Sequence, residues 1–594
     1  MAGDRAALPR TRRGGGLSTR PSSAADGAAR IEADVLVAGG GLAALRAALD
    51  ARLAGAHVVI AVKGKLGRSG SSAMTSAGYS SAVTDADSPE SHRSDTLKGG
   101  RMINDPELVA IMAEEAPGRL EELVELGGEL ALVDGMRVVH PSGDHAVPRT
   151  VVAANFKGLD FTLPLAQAVR AAGCGVLEHT MVADVLLDAG RVAGAVCLDR
   201  TRPDPVIEIA APALILATGG AGQLFEVTSN PSDVTGDGYA IALRAGATLR
   251  DMEFIQFYPW RCIVPFDTAR MPIQPSTFVA GARLLNADGE RFMSAYDPVQ
   301  HEATTRDIAA RGIYDQIRTG RSVQGGVRLD LSRLSDDDWR RTNVRPSDYF
   351  ERRGIDFRSV SMILAPEAHF FMGGLVTDAH GRSTVPGLFV AGETAGGVHG
   401  ANRLDSNALP ETQVFGARAG RAAARYAVEH PPPATGRATA DAWRATHAAL
   451  LAGPRLDGAE QADGGHPPAG RLLRSVQHTA WQKLGIVRDR ERLEQGLEQL
   501  AAVGAALEDA AAPAGGSALV ARFELRNLLA VGRACFSAAL ERTESRGAHY
   551  RLDYPAQDDA HWAESLLVQQ TSDGELTIRR LGTTSTPQLA AIDG

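Results

Sequence analysis

The sequence predicts an α/β fold in which a parallel-sheet domain is interrupted by an α+β capping domain and followed by a helical domain. Three observations support this prediction. An apolar strand, a glycine-rich turn and a helix follow one another near residue 40, two later apolar strands also end in glycine, and the chain after residue 436 has helical periodicity. With 594 residues the chain is too long for a single hydrophobic core, so separate domains are expected.

The composition is that of a folded globular protein, with 44% hydrophobic and 22% charged residues. The net charge of -9 and the lack of a dense Lys/Arg block exclude nucleic acid as an expected partner. No run of about 18 apolar residues occurs, so no membrane span is expected. Residues 1–30 are rich in Gly, Ser, Ala and Arg without an apolar stretch, which predicts a disordered arm rather than a signal peptide.

The four cysteines, Cys174, Cys197, Cys262 and Cys535, lie far apart in the sequence. None has CxxC-type spacing, so neither a zinc site nor an iron–sulfur cluster is expected within the chain. We expect reduced thiols and a cytoplasmic protein, placed at the periphery of a membrane if the chain works in a complex.

The first predicted unit contains a strand at Asp34–Ala38, a turn at Gly39–Ala44, an Ala/Leu/Arg-rich helix and a strand at His57–Val62. A βαβ unit of about thirty residues in this order is typical of dinucleotide-binding folds. The GxGxxA pattern within the turn brings backbone N–H groups and the positive end of a helix against a pyrophosphate. The sequence therefore predicts a dinucleotide cofactor at this turn.

Two later strands are predicted at Ala213–Ala217 and Leu388–Ala391. The first runs into Thr218, Gly219 and Gly220, and the second runs into Gly392 and Glu393. Glycines at these positions allow the backbone to approach a ligand closely. Three apolar strands that each end in glycine indicate one parallel sheet, with its carboxyl edge facing a single cofactor.

The domain boundaries follow from the length and composition of the segments. Residues 230–366, between the second and third of these strands, are too long for a loop and are predicted to form a cap. The cofactor-binding domain is then assembled from residues 31–229 and 367–430. Residues 437–545 are predicted to form a helical bundle, and residues 546–594 form a C-terminal tail segment.

Residues 369–374, 390–393 and 400–407 form the most informative stretch, with one histidine, one arginine and a glycine-rich turn that ends in glutamate. This stretch resembles the carboxylate-binding and flavin-binding segment of the FAD-dependent succinate dehydrogenase/fumarate reductase flavoprotein family, which includes L-aspartate oxidase. The resemblance covers about residues 33–565. It implies a Rossmann-like FAD-binding domain with a capping domain over the substrate.

Two positions indicate which kind of cofactor site this chain has. An acidic residue usually ends the second strand of a dinucleotide-binding unit, but Val62 and Lys63 stand there, which resembles the small residue plus lysine of this family. Ser71 occupies the place where succinate dehydrogenases carry the histidine that bonds to the flavin, which implies non-covalent FAD. The resemblance assigns these FAD contacts: Gly39, Gly40, Gly41, Leu42, Ala43, Lys63, Ser71, Ser72, Gly78, Gly219, Asp237, Glu393, Ala408 and Leu409.

Three further side chains match the family's substrate site. Arg403 is expected to hold a substrate carboxylate through a bidentate contact, and His369 is expected to donate to the same carboxylate. Arg306 matches the family's proton-transferring arginine. A guanidinium is a poor acid, so this role requires a neighbouring cation, and Arg403 would supply it.

Two segments depart from the family pattern. The motif Gln-Phe-His-Pro-Thr reads Gln256–Trp260 here, so Tyr258 stands in place of a carboxylate-binding histidine. The family's Thr-Glu-x-x-Arg-Gly-Glu-Gly segment, which binds a second carboxylate and relays protons, falls at residues 274–281 and has lost its glutamate and its arginine. A differently placed gap would bring Thr277 to the hydroxyl position. Burying a second carboxylate without a partner is costly, so a plain C4 dicarboxylate fits poorly.

We therefore expect a substrate with one carboxylate near Arg403 and His369 and a less polar remainder. Tyr258, Trp260 and Phe278 are expected to line the half of the pocket that takes this remainder. The sequence leaves open whether Tyr258 binds through its hydroxyl or only packs.

These residues predict an FAD-dependent oxidoreductase that moves a hydride between flavin N5 and a carbon next to a carboxylate of a small organic or amino acid. The alternatives are an L-aspartate oxidase, a flavoprotein subunit of succinate dehydrogenase or fumarate reductase, and a non-catalytic flavin-binding subunit. A non-catalytic flavin-binding subunit would have no need of the two arginines and the histidine that this chain keeps, which are Arg306, Arg403 and His369. Because the chain has no cluster ligands, electrons are expected to leave to oxygen, to a soluble carrier or to an iron–sulfur subunit.

Overall fold

The computed structural model describes residues 22–23, 29–133, 135–265, 271–431, 436–447, 468–510 and 515–582. Most of the expected arm, most of the expected linkers after residues 431 and 447, and the chain after residue 582 lie outside the described residues. Within the arm, Ser22–Ser23 pairs with the strand Ala29–Glu32, which differs from the expectation of a disordered segment at those residues.

The cofactor-binding half is built on a sheet of parallel strands. Their order across the sheet is Leu388–Val390, Ala213–Leu216, Val35–Ala38, Val58–Val62 and Gly175–Glu178. The three strands predicted to end in glycine are adjacent and in register, because Ile215 pairs with both Val37 and Phe389. Apolar side chains fill both faces of these strands, as expected for a parallel sheet covered on both sides.

Helices pack around this sheet. The helix Leu42–Leu53 lies against the long helix Ala408–Glu429. The two backbones approach closely because Gly420 has no side chain, and a Cβ there would lie 2.2 Å from the carbonyl oxygen of Ala47. The other helices of this half are Ser71–Met74, Pro89–Gly99, Pro106–Glu125, Leu159–Ala171 and Asp237–Arg244.

Smaller sheets complete the cofactor-binding half. An antiparallel layer contains Thr180–Asp188, Arg191–Asp199 and Val206–Ala210, and Val206–Ala210 pairs in parallel with Ala29–Glu32. Two-stranded pairs are formed by Gly78–Ser80 with Thr150–Val152 and by Leu132–Val133 with Met136–Arg137.

The cap has its own antiparallel sheet and its own aromatic core. The strands, in order across the sheet, are Ile255–Val264, Ile363–Phe371, Val327–Asp330 and Arg283–Leu285. Its helices are Pro275–Val279, Arg306–Arg318, Asp336–Thr342 and Val344–Glu351. Because this sheet and its buried cluster are separate from those of the parallel sheet, the predicted interruption by an α+β cap is confirmed.

The C-terminal part is helical, as predicted, and ends in a small sheet. Its helices are Gly436–Thr446, Pro468–Lys483, Arg490–Asp509, Gly516–Glu541 and Asp559–Trp562. The strands Glu564–Gln570 and Leu576–Gly582 extend a sheet with Leu249–Arg250 and Gly374–Leu375, so the tail is attached to the cofactor-binding half. Among the described residues, no helix is both long and apolar enough to cross a membrane.

Candidate active site

A continuous cavity of about 540 Å³ opens at the carboxyl edge of the parallel sheet and extends under the cap. The residues that the family resemblance assigned to the cofactor, together with Tyr258 and the three expected catalytic or carboxylate-binding side chains, lie in its wall. They are Gly39, Gly40, Gly41, Leu42, Ala43, Lys63, Ser71, Ser72, Gly78, Gly219, Asp237, Tyr258, Arg306, His369, Glu393, Arg403, Ala408 and Leu409.

The glycine turn forms one end of this cavity. Gly39 has φ +123°, and a Cβ at this position would lie 2.1 Å from the carbonyl oxygen of Ala217 on the neighbouring strand. Only glycine fits there, because the obstructing atom is backbone. Ser72, in the short helix Ser71–Met74, accepts a hydrogen bond from the Leu42 N–H at 3.2 Å, at the start of the helix Leu42–Leu53. The turn thus presents backbone N–H groups and a positive helix end to an anion.

Lys63 and Asp237 form an ion pair rather than two separate ligands. The Lys63 ammonium lies 2.8 Å from the Asp237 carboxylate and 2.8 Å from the Glu524 carboxylate. Burial alone would lower the pKa of Lys63, but the two carboxylates raise it above its ordinary value. Thr235 and Asn527 donate to the other Asp237 oxygen. Most of the hydrogen-bonding capacity of this pair is therefore used within the protein.

Two polar atoms near the parallel sheet fit a bound FAD. The Ser71 hydroxyl is buried in the cavity wall without a hydrogen-bond partner among the described residues. Glu393 accepts the Phe371 N–H at 3.0 Å, and burial raises the pKa of its carboxyl to about 7. The same carboxylate lies where a Cβ on Gly220 would meet it at 2.2 Å. A ribose or ribityl hydroxyl is the kind of group that both Ser71 and Glu393 can bind.

Arg403 supplies a buried cation to the cavity. Its guanidinium lies 4.7 Å above the Phe370 ring, and the residue is only 4% exposed. Within the described residues, no carboxylate lies within ion-pair distance of this guanidinium, and its Nε has no hydrogen-bond partner. Burial and the nearby charge of Arg306 lower the pKa of Arg403 to about 9. A ligand carboxylate would satisfy these donors.

His369 is held as a neutral imidazole. Burial, followed by the charges of Arg403 and Arg306, lowers its pKa well below the ordinary value. Its Nδ1 lies 2.8 Å from the Ser229 hydroxyl. The single hydroxyl proton can go to Nδ1 or to the Ala368 carbonyl oxygen, which lies at 3.3 Å. We assign it to the shorter contact with Nδ1, which leaves the ring proton on Nε2. A neutral histidine in this tautomer can donate one hydrogen bond to a carboxylate without adding charge.

Arg306 lies at the start of the cap helix Arg306–Arg318, and groups from both halves of the molecule fix its guanidinium. It forms a buried ion pair with Asp405, which follows Arg403 by two residues. It also donates to the Gln256 side chain at 3.1 Å. The Gln256 amide in turn donates to the Arg403 carbonyl oxygen at 2.9 Å. Gln256 therefore links the two arginines and sets their relative position.

The ring of Tyr258 lines the cavity, but its hydroxyl is hydrogen-bonded within the cap. The hydroxyl donates to the Ile273 carbonyl oxygen at 2.7 Å, and burial raises the pKa of the phenol above the ordinary range. The ring lies 5.3 Å from the His369 ring and 5.2 Å from the Arg306 guanidinium. Because its one proton is already donated, Tyr258 cannot replace a carboxylate-binding histidine as a hydrogen-bond donor.

The expectation that Trp260 and Phe278 line the pocket is wrong. Both are buried in the core of the cap, where their ring centroids lie 4.7 Å apart with the planes tilted by 31°, and neither reaches the cavity wall. Thr277 is fully buried and accepts from Asn343, so it does not take the hydroxyl position either. Regular alternation would put Trp260 on the same face as Tyr258, but the pairing register shifts between Tyr258 and Arg261. The helix Pro275–Val279 buries Thr277 and Phe278. In their place the wall contains Met271, Pro272, Gln274, Pro275 and Ser276.

Several residues of the site had no role in the sequence interpretation, although signals for two of them were present. Gln256 lies in the motif that ends at Trp260, and Asp405 lies within the stretch that contains Arg403. Ser229 and Glu367 had no such signal, because contacts across the cap sheet and with a distant loop place them. Pairing between Tyr258 and Glu367 on adjacent strands brings this carboxylate to the wall.

Comparison with known proteins gives consistent results over nearly the whole chain. Residues 34–409 match the family described as FAD binding domain, and residues 473–590 match that described as fumarate reductase flavoprotein C-term. One subunit of the fumarate reductase (CoM/CoB) of Methanothermobacter marburgensis is 38% identical over 557 residues, which covers 91% of this chain and 97% of that protein. An L-aspartate oxidase of Streptomyces coelicolor is 35% identical over 572 residues, with 94% of each chain covered. Among solved structures, the flavoprotein chain of Escherichia coli quinol fumarate reductase has a TM-score of 0.84 at 27% identity, over 94% of this chain and 98% of that one.

Proposed function

The chain belongs to the FAD-dependent oxidoreductase family of fumarate reductases, succinate dehydrogenase flavoproteins and L-aspartate oxidases, and from this premise we propose a reaction for it. The protein transfers a hydride between flavin N5 and the carbon next to the carboxylate of a small organic or amino acid. The observation that carries the proposal is Arg403, a buried guanidinium in the cavity wall with no carboxylate of the described chain beside it.

We propose that FAD is held without a covalent bond. The glycine turn would take the pyrophosphate, Ser71 and Glu393 would bind hydroxyls of the ribose or ribityl chain, and Ala408 and Leu409 would contact the ring system. When bound, FAD supplies the hydride acceptor or donor of the reaction. A serine at position 71 has no nucleophilic nitrogen for a link to the flavin, which supports the non-covalent assignment.

In the proposed binding mode, one substrate carboxylate lies between Arg403 and His369. The arginine contributes charge and a bidentate contact, and the neutral histidine adds a third hydrogen bond. Phe370 supports the underside of the Arg403 guanidinium at 4.7 Å and limits its movement. This fixed pair would orient the adjacent carbon for hydride transfer, which is a positioning effect.

Arg306 is the proposed proton-transfer group. It is 7% exposed, it lines the cavity, and its orientation is fixed by Gln256 and Asp405. The Asp405 carboxylate is its buried ion-pair partner. The relay glutamate of the family motif is missing from this sequence, and Asp405 is the carboxylate that lies beside Arg306 instead. We propose that this ion pair keeps the Arg306 guanidinium oriented between turnovers.

A second candidate function is that of the flavoprotein component of a fumarate reductase. The match of residues 473–590 to the fumarate reductase C-terminal family and the 38% identity to the Methanothermobacter marburgensis fumarate reductase chain support it. In that case fumarate would be the substrate, and electrons would arrive from a partner protein. An L-aspartate oxidase is supported by the 35% identity to the Streptomyces coelicolor enzyme, and its acceptor would be oxygen or a soluble carrier.

The test is anaerobic bleaching of the flavin absorbance of the purified protein. The panel contains succinate, L-aspartate and monocarboxylates with alkyl or aryl ends, and fumarate is offered to the dye-reduced protein. We expect at least one carboxylate to change the redox state of the flavin. The variant Arg403→Ala should keep FAD but lose this response, because the carboxylate loses its cation. An Arg403→Ala variant with full activity would contradict the proposed orientation.

A further inference from the structure

A loop of the cofactor-binding half, at residues 142–145, contacts the segments that carry both partners of the Arg306–Asp405 ion pair. We propose that Asp144 in this loop is a positioning residue: it fixes Asp405, and through Asp405 it fixes the Arg306 guanidinium for proton transfer. None of the loop's residues lines the cavity, so Asp144 acts through Asp405 and not on the substrate. This inference rests on the proposed function, because it takes Arg306 as the proton-transfer group.

The carboxylate of Asp144 holds the backbone N–H of Asp405. Its Oδ2 accepts this N–H at 2.8 Å, and its Oδ1 accepts the Ser142 hydroxyl at 2.6 Å. The Asp144 side chain is only 6% exposed, so water competes little for these bonds. Because a carboxylate accepts stronger hydrogen bonds than a neutral oxygen does, this contact restrains Asp405 effectively.

Two other side chains hold the carbonyl oxygen of Asp405. The Ser80 hydroxyl donates to it at 2.8 Å, and Nε2 of His145 lies 3.2 Å from it. We assign Nε2 as the donor in the second contact, because a carbonyl oxygen can only accept. The backbone of Asp405 is therefore held on both sides, at its N–H by Asp144 and at its carbonyl oxygen by Ser80 and His145.

The backbone next to Asp405 depends on such contacts. Ser406 has φ +59°, in the left-handed region that residues other than glycine rarely adopt. The Ser80 N–H donates to the Ser406 carbonyl oxygen at 3.1 Å. A conformation of this kind persists only where the surrounding contacts determine it. Loss of the Asp144 bond should therefore let Asp405 move.

The same loop packs against the segment that carries Arg306. A Cβ on Gly143 would lie 1.5 Å from the carbonyl oxygen of Ala303, so only glycine fits at this contact. Ala303 lies three residues before Arg306, which begins the cap helix Arg306–Arg318. The loop thus restrains Asp405 on one side and the start of the cap helix on the other.

Loss of this restraint should separate the rate of reaction from the binding of substrate. The Arg306 guanidinium has two anchors, Asp405 and Gln256, and movement of Asp405 displaces one of them. A misplacement of about 1 Å can cost about a hundredfold in rate. Binding of the carboxylate depends on Arg403, whose carbonyl oxygen is held by Gln256 at 2.9 Å without a contact to Asp144.

The test compares Asp144→Ala with the wild type, both loaded with FAD. The probes are succinate and L-aspartate for the oxidised protein, and fumarate for the dye-reduced protein. Stopped-flow absorbance gives the rate of the flavin redox change, and spectral titration near neutral pH gives the dissociation constant. We expect the rate at saturating probe to fall by about tenfold to a hundredfold. The dissociation constant should stay within about threefold, because the lost contact serves the reaction and not ground-state binding.

Two further readouts assign the loss to proton transfer. The ratio of rates in H₂O and D₂O should increase in Asp144→Ala, because the slowed proton transfer then limits the reaction more strongly. Asp144→Asn should recover most of the lost rate, because its amide oxygen can accept the Asp405 N–H and its amide N–H can donate to the Ser142 hydroxyl.

Asp378→Ala is the matched control. Asp378 also accepts two backbone N–H groups, from His380 at 2.8 Å and from Arg382 at 2.9 Å, and it is half-buried in the cofactor-binding half. It does not line the cavity, so its replacement should change neither the rate nor the dissociation constant.

The outcomes separate this inference from the function on which it rests. A wild-type rate in Asp144→Ala would overturn the inference, and so would an equal loss of rate and ligand affinity or an unchanged isotope ratio. If Asp144→Ala failed to fold, Ser142→Ala would decide, because it removes one anchor of Asp144: a wild-type rate and isotope ratio there would overturn the inference. If the wild type itself reacted with none of the probes and with no other carboxylate, the proposed function would fail, and this inference with it.

Discussion

At the level of single residues, the site is defined by one cation without a carboxylate in direct contact. Arg306 forms an ion pair with Asp405, whereas no carboxylate among the described residues lies within ion-pair distance of Arg403, and Asp405 and Glu393 act on its charge only from further away. The substrate carboxylate is therefore the group that completes the pair. The geometry thus supports recognition of one carboxylate at this place, even though two arginines are present.

The lowered pKa of Arg403 predicts a pH dependence of carboxylate binding. In the free protein, burial and Arg306 lower this pKa to about 9. Below this pH the guanidinium is charged and attracts the carboxylate, and above it the free protein loses the charge. The dissociation constant of a carboxylate ligand should therefore rise about tenfold per pH unit above about 9. Spectral titration of the flavin between about pH 7 and 10.5 measures it.

Arg403→Ala provides the control for this titration. Its binding should be weak at every pH and should show no break near pH 9, because the titrating group is absent. A break of the same size in the variant would assign the titration to another group, such as the flavin itself.

The residues that the sequence identified were those in a local motif, and those it missed depended on packing. Arg403, His369 and Arg306 lie at the cavity because each sits in a segment with a recognisable pattern. Trp260 was misplaced because regular alternation puts it on the same face as Tyr258, and the register shift between Tyr258 and Arg261 is not visible in the sequence. Glu367 was missed because only pairing between distant strands places it beside Tyr258.

At the level of elements, the strand-to-helix turn is the most constrained part of the site. Gly39→Ala should abolish FAD binding, because its Cβ would lie 2.1 Å from the Ala217 carbonyl oxygen and its φ of +123° is strained for alanine. Neither strand can yield without disrupting the sheet. The flavin content of the purified variant, measured by absorbance, should fall close to zero while its far-ultraviolet circular dichroism keeps most of the helical signal.

Gly118→Ala is the matched control for this substitution. Gly118 lies within the helix Pro106–Glu125, and a Cβ there would meet nothing within 4 Å. The change should leave the flavin content unchanged and stabilise the helix by about 0.5–1 kcal/mol. Full flavin content in Gly39→Ala would show that the turn can relax, contrary to the backbone geometry.

The strands of the parallel sheet and their order could be predicted from the sequence. The residues that line the part of the cavity under the cap could not. The glycine-ended strands identified the parallel sheet because apolar runs and glycines are local signals. Residues 274–281 lack the glutamate and the arginine of the family motif, so the motif gives no guide to the side chains that line the cavity here. Their short helix, Pro275–Val279, decides which side chains face the cavity, and this rotation comes from packing against the cap core.

At the level of the whole molecule, charged contacts join the three parts of the chain. The Arg306–Asp405 pair and the 3.0 Å pair between Arg101 and Asp307 connect the cap to the cofactor-binding half. Lys63 connects that half to Glu524 on the C-terminal helix Gly516–Glu541. Cofactor binding, cap position and the C-terminal domain are thus linked by buried or half-buried ion pairs.

The strongest of these connections surrounds Arg542, at the end of the long C-terminal helix. Arg542 is fully buried and lies 2.6 Å from Glu253 and 3.2 Å from Glu544. Its guanidinium also donates to the carbonyl oxygens of Trp562 and Glu564. Removing the cation leaves two buried carboxylates without this partner, which is costly in a medium of low polarity. Arg542→Met should therefore lower the free energy of unfolding by about 3–5 kcal/mol.

This loss should appear in the cofactor site, because Glu253 lies two residues before the first residue of the cap strand Ile255–Val264. Thermal unfolding followed by flavin fluorescence should show FAD release at a lower temperature in Arg542→Met. Arg580→Met is the matched control. The Trp562 ring has the Arg542 guanidinium on it at 5.3 Å and the Arg580 guanidinium at 3.7 Å, but Arg580 is exposed, so its change should cost less than about 1 kcal/mol. Equal shifts in the two variants would mean that contact with the ring, and not the buried charge pair, holds the tail. A large shift in Arg542→Met alone would show that the C-terminal domain stabilises the site through the Glu253 contact.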